Sequence, residues 1–446
     1  MRYRAVLSTP RIALVLSVVI LPAVRCNAQT EAGPSAEPIV EWNRVVLEIA
    51  EAEDGFLTLK GLRTVTMMHL AMHDAMNAIV HRYEPYEFAA DDPDADLLAA
   101  ANTAAYTVAA QQYPGSDSSL AALRLRLTAS ERETSPSPTR AAIERGEVLG
   151  RAAAEAIVRR RVADGWDAEA EYSFHPMGPG VYAEFNKHSG TPEGFVFGAG
   201  WGAAQPFSMD SSGQFRVPPP PDIKSAAYTA AFNEVKEVGR YQTIERTVDQ
   251  THLALWWKDF NENSQNRLAR DLIQKEPIDA IDANRLFALV NVGVYDGYIS
   301  SFNNKFFYNH WRPYTAIRWA DNDENPDTEK EANWTNLHRH TYAFPSYPSA
   351  HGTACGGAAA AFEDVFGDGY GFTMRIPLVD IAGPMSGKIE MHPATRTFDS
   401  FEAAAIECGL SRLYLGIHFR YDSEQGVRLG YQVGRHAVAT ILRPVG

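Results

Sequence analysis

The stretch DANRLFALVNVGVYDGYISSFNNKFFYNHWRPYTAIR spans Asp282–Arg318. Its first part, to Trp311, reads as one long helix that delivers two cations, Lys305 and Arg312. They lie seven positions apart. That is close to two helical turns, so the pair shares one face about 10 Å apart. Pro313 pushes Arg312 out of the α region and ends the helix there. The chain carries a formal charge of −14. A cationic pair at the end of a rigid element in so acidic a chain is a local feature, and it calls for an anion.

Outward from this stretch the patterning is helical. IVEWNRVVLEIAEAE (Ile39–Glu53) and LRTVTMMHLAMHDAMNAIVH (Leu62–His81) place apolar residues at three- and four-residue spacing. Two alanine-rich segments follow, DADLLAAANTAAYTVAAQQY and TRAAIERGEVLGRAAAEAIVRRRVADG. An irregular segment rich in Gly, Pro and aromatics runs from about Trp166 to Pro221 and ends in VPPPPD, a stiff extended linker. Helices resume with SAAYTAAFNEVKEVG and RTVDQTHLALWWKDF, and end with SAHGTACGGAAAAFEDVFG and SFEAAAIECGLSRLYLGIHF. No alternating strand run and no internal repeat stands out. The fold class is therefore all-α, packed helical bundles with a long irregular segment.

Residues 1–28 read as a leader. Arg2, Arg4 and Arg11 precede the apolar run IALVLSVVILPAV (Ile12–Val24), and Ala28 offers a small residue before a cut. The run is short for a membrane span. A lipid-anchored Cys26 is the competing reading, and Arg25 is a poor neighbour for it. An exported protein, secreted or periplasmic, follows. Residues 29–221 then form an N-terminal helical region with the irregular segment, and 222–446 a catalytic bundle. The acidic surface excludes nucleic acid and anionic membranes as partners. Two cysteines remain, Cys355 and Cys408, too few for a disulfide scaffold. Sequence leaves open whether they are bridged, and leaves the oligomeric state open too.

Three pieces carry chemistry. The first is Lys305 with Arg312–Pro313. The second is YPSAHG, where Ser349 sits near the N-cap of a helix, with Ala350 and His351 in its first turn. A helix N-terminus presents unpaired N–H groups to an anion. The third is SRLYLGIHFRYD. Arg412 and His418 lie six apart, which on a straight helix points them to different sides. Gly416 relaxes the helix so that both reach one pocket. Asp422, four residues after His418, is placed to orient its imidazole. Three cations, a hydroxyl at a helix N-terminus and two histidines describe an oxyanion site for a tetrahedral ligand, phosphate or vanadate. His69 and His73 with Asp74 share a helix face and read either as a metal module or as hydrogen-bonded core.

The pattern K-x6-R-P, then P-S-A-H, then S-R-x5-H-x3-D resembles the signature of the superfamily that joins vanadium-dependent haloperoxidases and type 2 phosphatidic acid phosphatases. Ala350 stands where the family has Gly. Segments such as WNRVVLEIA, MMHLAMHDAMNAI and PPPPDIKSAAYTAAFNEVKEVG resemble its secreted bacterial haloperoxidase-like branch, from about Glu41 on. The resemblance implies an all-α fold, vanadate as cofactor, and hydrogen peroxide, halide and a small organic acceptor as reactants. It implies that His418 is the metal ligand and that Lys305, Arg312 and Arg412 neutralise the oxygens. Ser349 and the Ala350 N–H bond them, and His351 is the acid–base group. Asp422 fixes the His418 tautomer, and Asp249 or Asp296 supports the arginines. Phe344 and Phe302 would line the halide pocket, and the identity of the halide stays open. The alternative is an acid phosphatase in which His418 forms a phosphohistidine, because the same cage serves both reactions.

Overall fold

The computed structural model describes residues 34–132, 137–379 and 387–445. The leader lies outside them. Fourteen α-helices carry the described residues: α1 (Glu37–Asp54), α2 (Lys60–Val80), α3 (Leu97–Gln112), α4 (Asp117–Arg132), α5 (Arg140–Arg160), α6 (Asn186–Ser189), α7 (Ala226–Val238), α8 (Val248–Trp256), α9 (Asn261–Lys275), α10 (Ala280–Tyr308), α11 (Pro313–Trp319), α12 (Ala350–Phe366), α13 (Phe401–Tyr414) and α14 (Arg420–Thr440). Two short antiparallel strands, β1 (Phe372–Arg375) and β2 (Thr395–Phe398), are the only sheet among the described residues. The fold is all-α. None of the described helices is long and apolar enough to cross a membrane.

α10 is the axis. Almost every side chain from Ala280 to Lys305 is buried, polar ones included. A helix covered on all sides shows no amphipathic stripe. On one side it meets α2, which also packs on α3 and α5; on the other it meets α12 and α14. Helices from both sides of residue 221 thus share one packed unit, Pro34–Gly446.

The packing around α12 is tight because its neighbours have no side chains at the crossings. A Cβ on Gly357 of α12 would stand 2.4 Å from the carbonyl oxygen of Gly293 on α10. A Cβ on Gly430 of α14 would stand 2.1 Å from the carbonyl oxygen of Thr353 on α12. Real Cβ atoms do not come this close to a carbonyl oxygen, so any side chain there forces the helices apart.

The sequence reading of Asp282–Trp311 needs one correction. α10 stops at Tyr308, where Asn309 takes a left-handed cap with φ 50°. Arg312 is extended and stands as N-cap of a new helix, with Pro313 at its first position. Lys305 and Arg312 are therefore not on one helix face. Proline here starts a helix, for which its fixed φ is suited.

The irregular segment lies across the end of α10. Tyr182 N–H donates to the Asn309 carbonyl at 2.8 Å, the Trp311 N–H to Gly180 at 2.9 Å, and the Phe197 N–H to Ala343 at 2.8 Å. It supplies a wall to the region that Lys305 enters.

Replacing Gly357 by Val should destabilise the protein by about 1–3 kcal/mol, the usual cost of overpacking. Denaturant unfolding checks this. A midpoint equal to wild type would mean that α10 and α12 are not in glycine contact.

Candidate active site

Lys305 and Arg312 converge because both reach the same extended segment. Lys305 Nζ donates to the carbonyl oxygens of Pro345 (3.1 Å) and Ser346 (2.8 Å). Arg312 Nε donates to the Phe344 carbonyl at 2.9 Å, and its Nη1 to Ile417 at 2.8 Å. Both side chains are fully buried. The Phe344 ring lies beneath the two, 5.1 Å from Lys305 Nζ and 4.6 Å from Arg312 Cζ.

Ser349 is the N-cap of α12, and its Oγ accepts from the Gly352 N–H at 3.3 Å. The Ser349 N–H donates to the Asp422 carbonyl at 2.9 Å, which ties α12 to α14. The first N–H groups of α12, Ala350 included, have no acceptor in the preceding turn. His351 follows, half-buried, with Nδ1 3.1 Å from Asn261 Nδ2 and Nε2 without a partner.

Gly416, at φ 76°, ends the α13 region instead of relaxing a continuous helix. Arg412 lies in the last turn of α13, and Nη1 donates to the Trp257 carbonyl at 2.8 Å. His418 stands in the turn before α14, and Asp422 is in its first helical turn. His418 Nδ1 is 2.9 Å from Asp422 Oδ2, and its Nε2 is 3.0 Å from Arg312 Nη1. A carboxylate accepts and a guanidinium donates, so the proton sits on Nδ1 and the Nε2 lone pair accepts from Arg312. Asp422 Oδ2 also accepts from the Phe419 N–H at 3.1 Å and from Ser346 Oγ.

The electrostatics follow from burial. Three cations meet one carboxylate, and that carboxylate is committed to His418, Ser346 and Phe419. Burial, then the neighbouring Arg312, holds Lys305 well below the usual lysine range. Burial pushes Arg312 down to about 10 and also lowers Arg412. Burial and Arg312 hold His418 far down, and burial and Arg412 do the same to His351, so both imidazoles are neutral. Arg312 Nη2 is buried without a hydrogen-bond partner. An anion is what this set lacks.

Phe302 and Phe344 stand together, ring centroids 5.2 Å apart, and Phe197 and Trp201 of the irregular segment pack on them. The two acids expected to support the arginines do not. Asp249 is 68% exposed and pairs with Arg396 at 2.9 Å. Asp296 is buried and accepts from the Phe207 and Ser208 N–H groups, both at 2.8 Å, which pins the irregular segment to α10. His69 is held by Asn284 and Asn43, His73 faces the Glu84 carbonyl, and Asp74 takes three backbone N–H groups. These three serve the core. Cys355 and Cys408 form a disulfide that joins α12 to α13. Their sulfurs adjoin His351 but are bonded to each other, so they offer no thiolate to a metal.

The structure adds residues that sequence reasoning missed. Ser346 bridges Asp422 and His418. Tyr342 stands by Arg412 and opposes part of the lowering that burial imposes on it, by charge and by hydrogen bonding. Asn261 stands behind His351, 3.4 Å from Tyr298 Oη, and Tyr298 donates to Glu262 at 3.2 Å. Ser346 had a sequence signal, two residues before the PSAH run. Asn261 and Glu262 had none, since polar residues opening a helix read as exposed.

Comparisons with known proteins come to the same place. Residues 285–446 match the family model described as the VCPO second helical-bundle domain. The vanadium chloroperoxidase of Curvularia inaequalis is 28% identical over 191 residues, 34% of this chain. The chain spans only 30% of that protein's length. Among solved structures, one described as the first bacterial vanadium-dependent iodoperoxidase superposes with a TM-score of 0.71 at 22% identity, covering 92% of this chain and 98% of that one. An apo-type bacterial vanadium-dependent chloroperoxidase gives 0.65 at 16% identity, covering 84% and 91%. The fold is that of these bacterial haloperoxidase structures. Residues 285–446 thus resemble the second helical-bundle domain of that family, and the chain shares the fold of the haloperoxidase structures.

Burial raises the Glu262 carboxyl to about 7. Between its ordinary pKa near 4.5 and 7, the folded chain keeps a proton that the unfolded chain has released. Stability therefore falls as pH rises through that window. Glu262→Gln needs no proton and can still accept from Tyr298. Its melting-temperature advantage over wild type should grow from pH 4.5 to 7 and then level off, worth on the order of 1–3 kcal/mol. An advantage constant with pH would contradict a buried, protonated Glu262.

Proposed function

We propose that this protein is a vanadium-dependent haloperoxidase that oxidises halide with hydrogen peroxide to hypohalous acid. The observation that carries the reading is the set of three buried cations around a neutral His418 whose Nε2 carries no hydrogen and faces Arg312. The donor set fits vanadate. His418 offers the nitrogen ligand. Arg312, whose Nη2 has no partner, Lys305 and Arg412 would neutralise its oxygens, and Ser349 Oγ and the Ala350 N–H would donate to them. Vanadate, when bound, supplies a Lewis-acid centre that activates peroxide toward halide without changing oxidation state.

The protein's own residues divide the remaining work. Asp422 and Ser346 hold His418 in the Nδ1–H tautomer and orient its ring. His351 is neutral and its Nε2 has no partner; with the Asn261 amide turned so that Oδ1 accepts from Nδ1–H, the Nε2 lone pair would take the proton that hydrogen peroxide gives up. Asn261 orients His351 from behind. Phe344 and Phe302, with Phe197 and Trp201, form an apolar wall that excludes water beside Lys305, where the halide reacts. The leader at residues 1–28 supports export, which fits a reaction whose oxidising product is harmful to cytoplasmic thiols.

His418→Ala should abolish tight vanadate binding and activity together. His351→Ala should retain measurable vanadate binding and lose roughly 10²–10⁴-fold in halide oxidation, the usual worth of a general acid–base group. Vanadate titration followed by a peroxide-dependent halogenation assay checks both. The reverse pattern would overturn the assignment of roles. Wild type that hydrolyses phosphate esters and oxidises no halide with vanadate would turn the reading to the phosphatase.

Arg412→Ala should weaken binding of phosphate, the vanadate analogue, by about 2–5 kcal/mol, because it strips a buried charge contact. Calorimetric titration reads this directly, and unchanged affinity would remove Arg412 from the cage.

A further inference from the structure

Tyr342 is a phenol set against the cage at both ends of its side chain. Its ring stacks on Phe344, with centroids 5.8 Å apart and planes 20° apart. Phe344 is the ring beneath two cations, 5.1 Å from Lys305 Nζ and 4.6 Å from Arg312 Cζ. The Tyr342 hydroxyl is hydrogen-bonded to Arg412, the third cation. One side chain is thus tied to the apolar wall and to the cage together. It is half-buried, held in place yet open to a small reagent.

Other oxidisable side chains near the cage are placed differently. Tyr298 is 9% exposed, and its hydroxyl is shared between Glu262 at 3.2 Å and Asn261 at 3.4 Å. Trp201 meets the wall through Phe302 and Phe197, with centroids 4.6 and 5.0 Å away. Cys355 and Cys408 are already joined to each other. The phenylalanines of the wall lack the hydroxyl that feeds electrons into a ring.

We propose that Tyr342 is halogenated by the protein's own product, which makes it a modification site beside the cage. This rests on the haloperoxidase reading. Hypohalous acid delivers its halogen as an electrophile. A ring carbon ortho to the Tyr342 hydroxyl attacks the halogen, and the oxygen–halogen bond breaks with its electron pair on oxygen. The ring then loses the hydrogen of that carbon as a proton, and the released hydroxide takes it up as water. No further oxidant is needed. A reactant held next to the place where its partner forms has a large advantage over one that waits in solution. Tyr342 is therefore the acceptor of first resort when no organic substrate is present.

The full chain would be loaded with vanadate and given hydrogen peroxide and iodide, the halide most easily oxidised, without an organic acceptor. Peptide mapping by mass spectrometry reads where iodine replaces hydrogen. In the first turnovers Tyr342 should be iodinated about tenfold more often than Tyr241, a surface phenol that is 39% exposed. Hypoiodous acid added from solution, without peroxide, should reverse that order. Tyr342→Phe should incorporate less iodine per iodide oxidised during turnover, and as much as wild type from the added reagent. The same order from both sources would overturn the proposal, as would Tyr298 or Trp201 modified ahead of Tyr342. These arms need only wild type should the variant fail to fold. Iodide oxidised, as read by an added phenol, with Tyr342 unmodified would overturn the proposal and leave the haloperoxidase reading standing. No vanadate-dependent iodide oxidation would sink that reading and the proposal with it.

Discussion

Backbone contact between α12 and its two neighbours is the constraint on which the rest depends. Gly293 and Gly357 bring α10 against α12, and Gly430 brings α14 against its other side. Each of the three helices contributes one piece of the site: α10 ends with Lys305, α12 begins with Ser349 and His351, and α14 begins with Asp422. Their termini meet only because the helix bodies cannot slide or separate. The Ser349–Asp422 backbone bond ties α12 to α14 at the functional end, and the Cys355–Cys408 disulfide ties α12 to α13. Packing here is what gives the site its geometry.

That geometry is electrostatically costly. Burying Lys305, Arg312 and Arg412 with a single carboxylate nearby pushes all three toward their neutral forms. The desolvation of such ions is normally repaid by a partner charge, and among the cage residues the partner is missing. Carbonyl oxygens of Pro345, Ser346, Phe344, Ile417 and Trp257 repay part of it. The segment 344–346 is therefore as much a part of the cage as the side chains it holds. The same positive field keeps His418 and His351 neutral, which a ligand nitrogen and a base both require. One arrangement thus creates the demand for an anion and prepares the two imidazoles that act on it.

Much of this was legible in the sequence, and the failures have physical causes. The spacing of Lys305, Arg312, Ser349, His351, Arg412, His418 and Asp422 named the residues that the structure brings together. The all-α class followed from apolar periodicity. What periodicity could not show was where helices stop. Lys305 and Arg312 looked like two turns of one helix, yet the chain breaks at Asn309 and converges again through the Phe344–Ser346 carbonyls. α9 escaped reading because its first residues, Asn261 to Asn266, are polar and buried. A binary pattern assigns such residues to solvent, and only tertiary contacts reveal them as a hydrogen-bonded layer behind His351. The resemblance implies an acid beside the arginines, but Asp249 and Asp296 each have a nearer partner that no spacing discloses.

The central claim is that His418 Nε2 and the three cations form one anion site. A crystal structure of the protein grown with orthovanadate tests it most directly. The account predicts a tetrahedral or five-coordinate anion against His418 Nε2, with Arg312 Nη1 displaced from that nitrogen and Nη2 engaged. An anion bound elsewhere, with Arg312 Nη1 still on His418 Nε2, would contradict it.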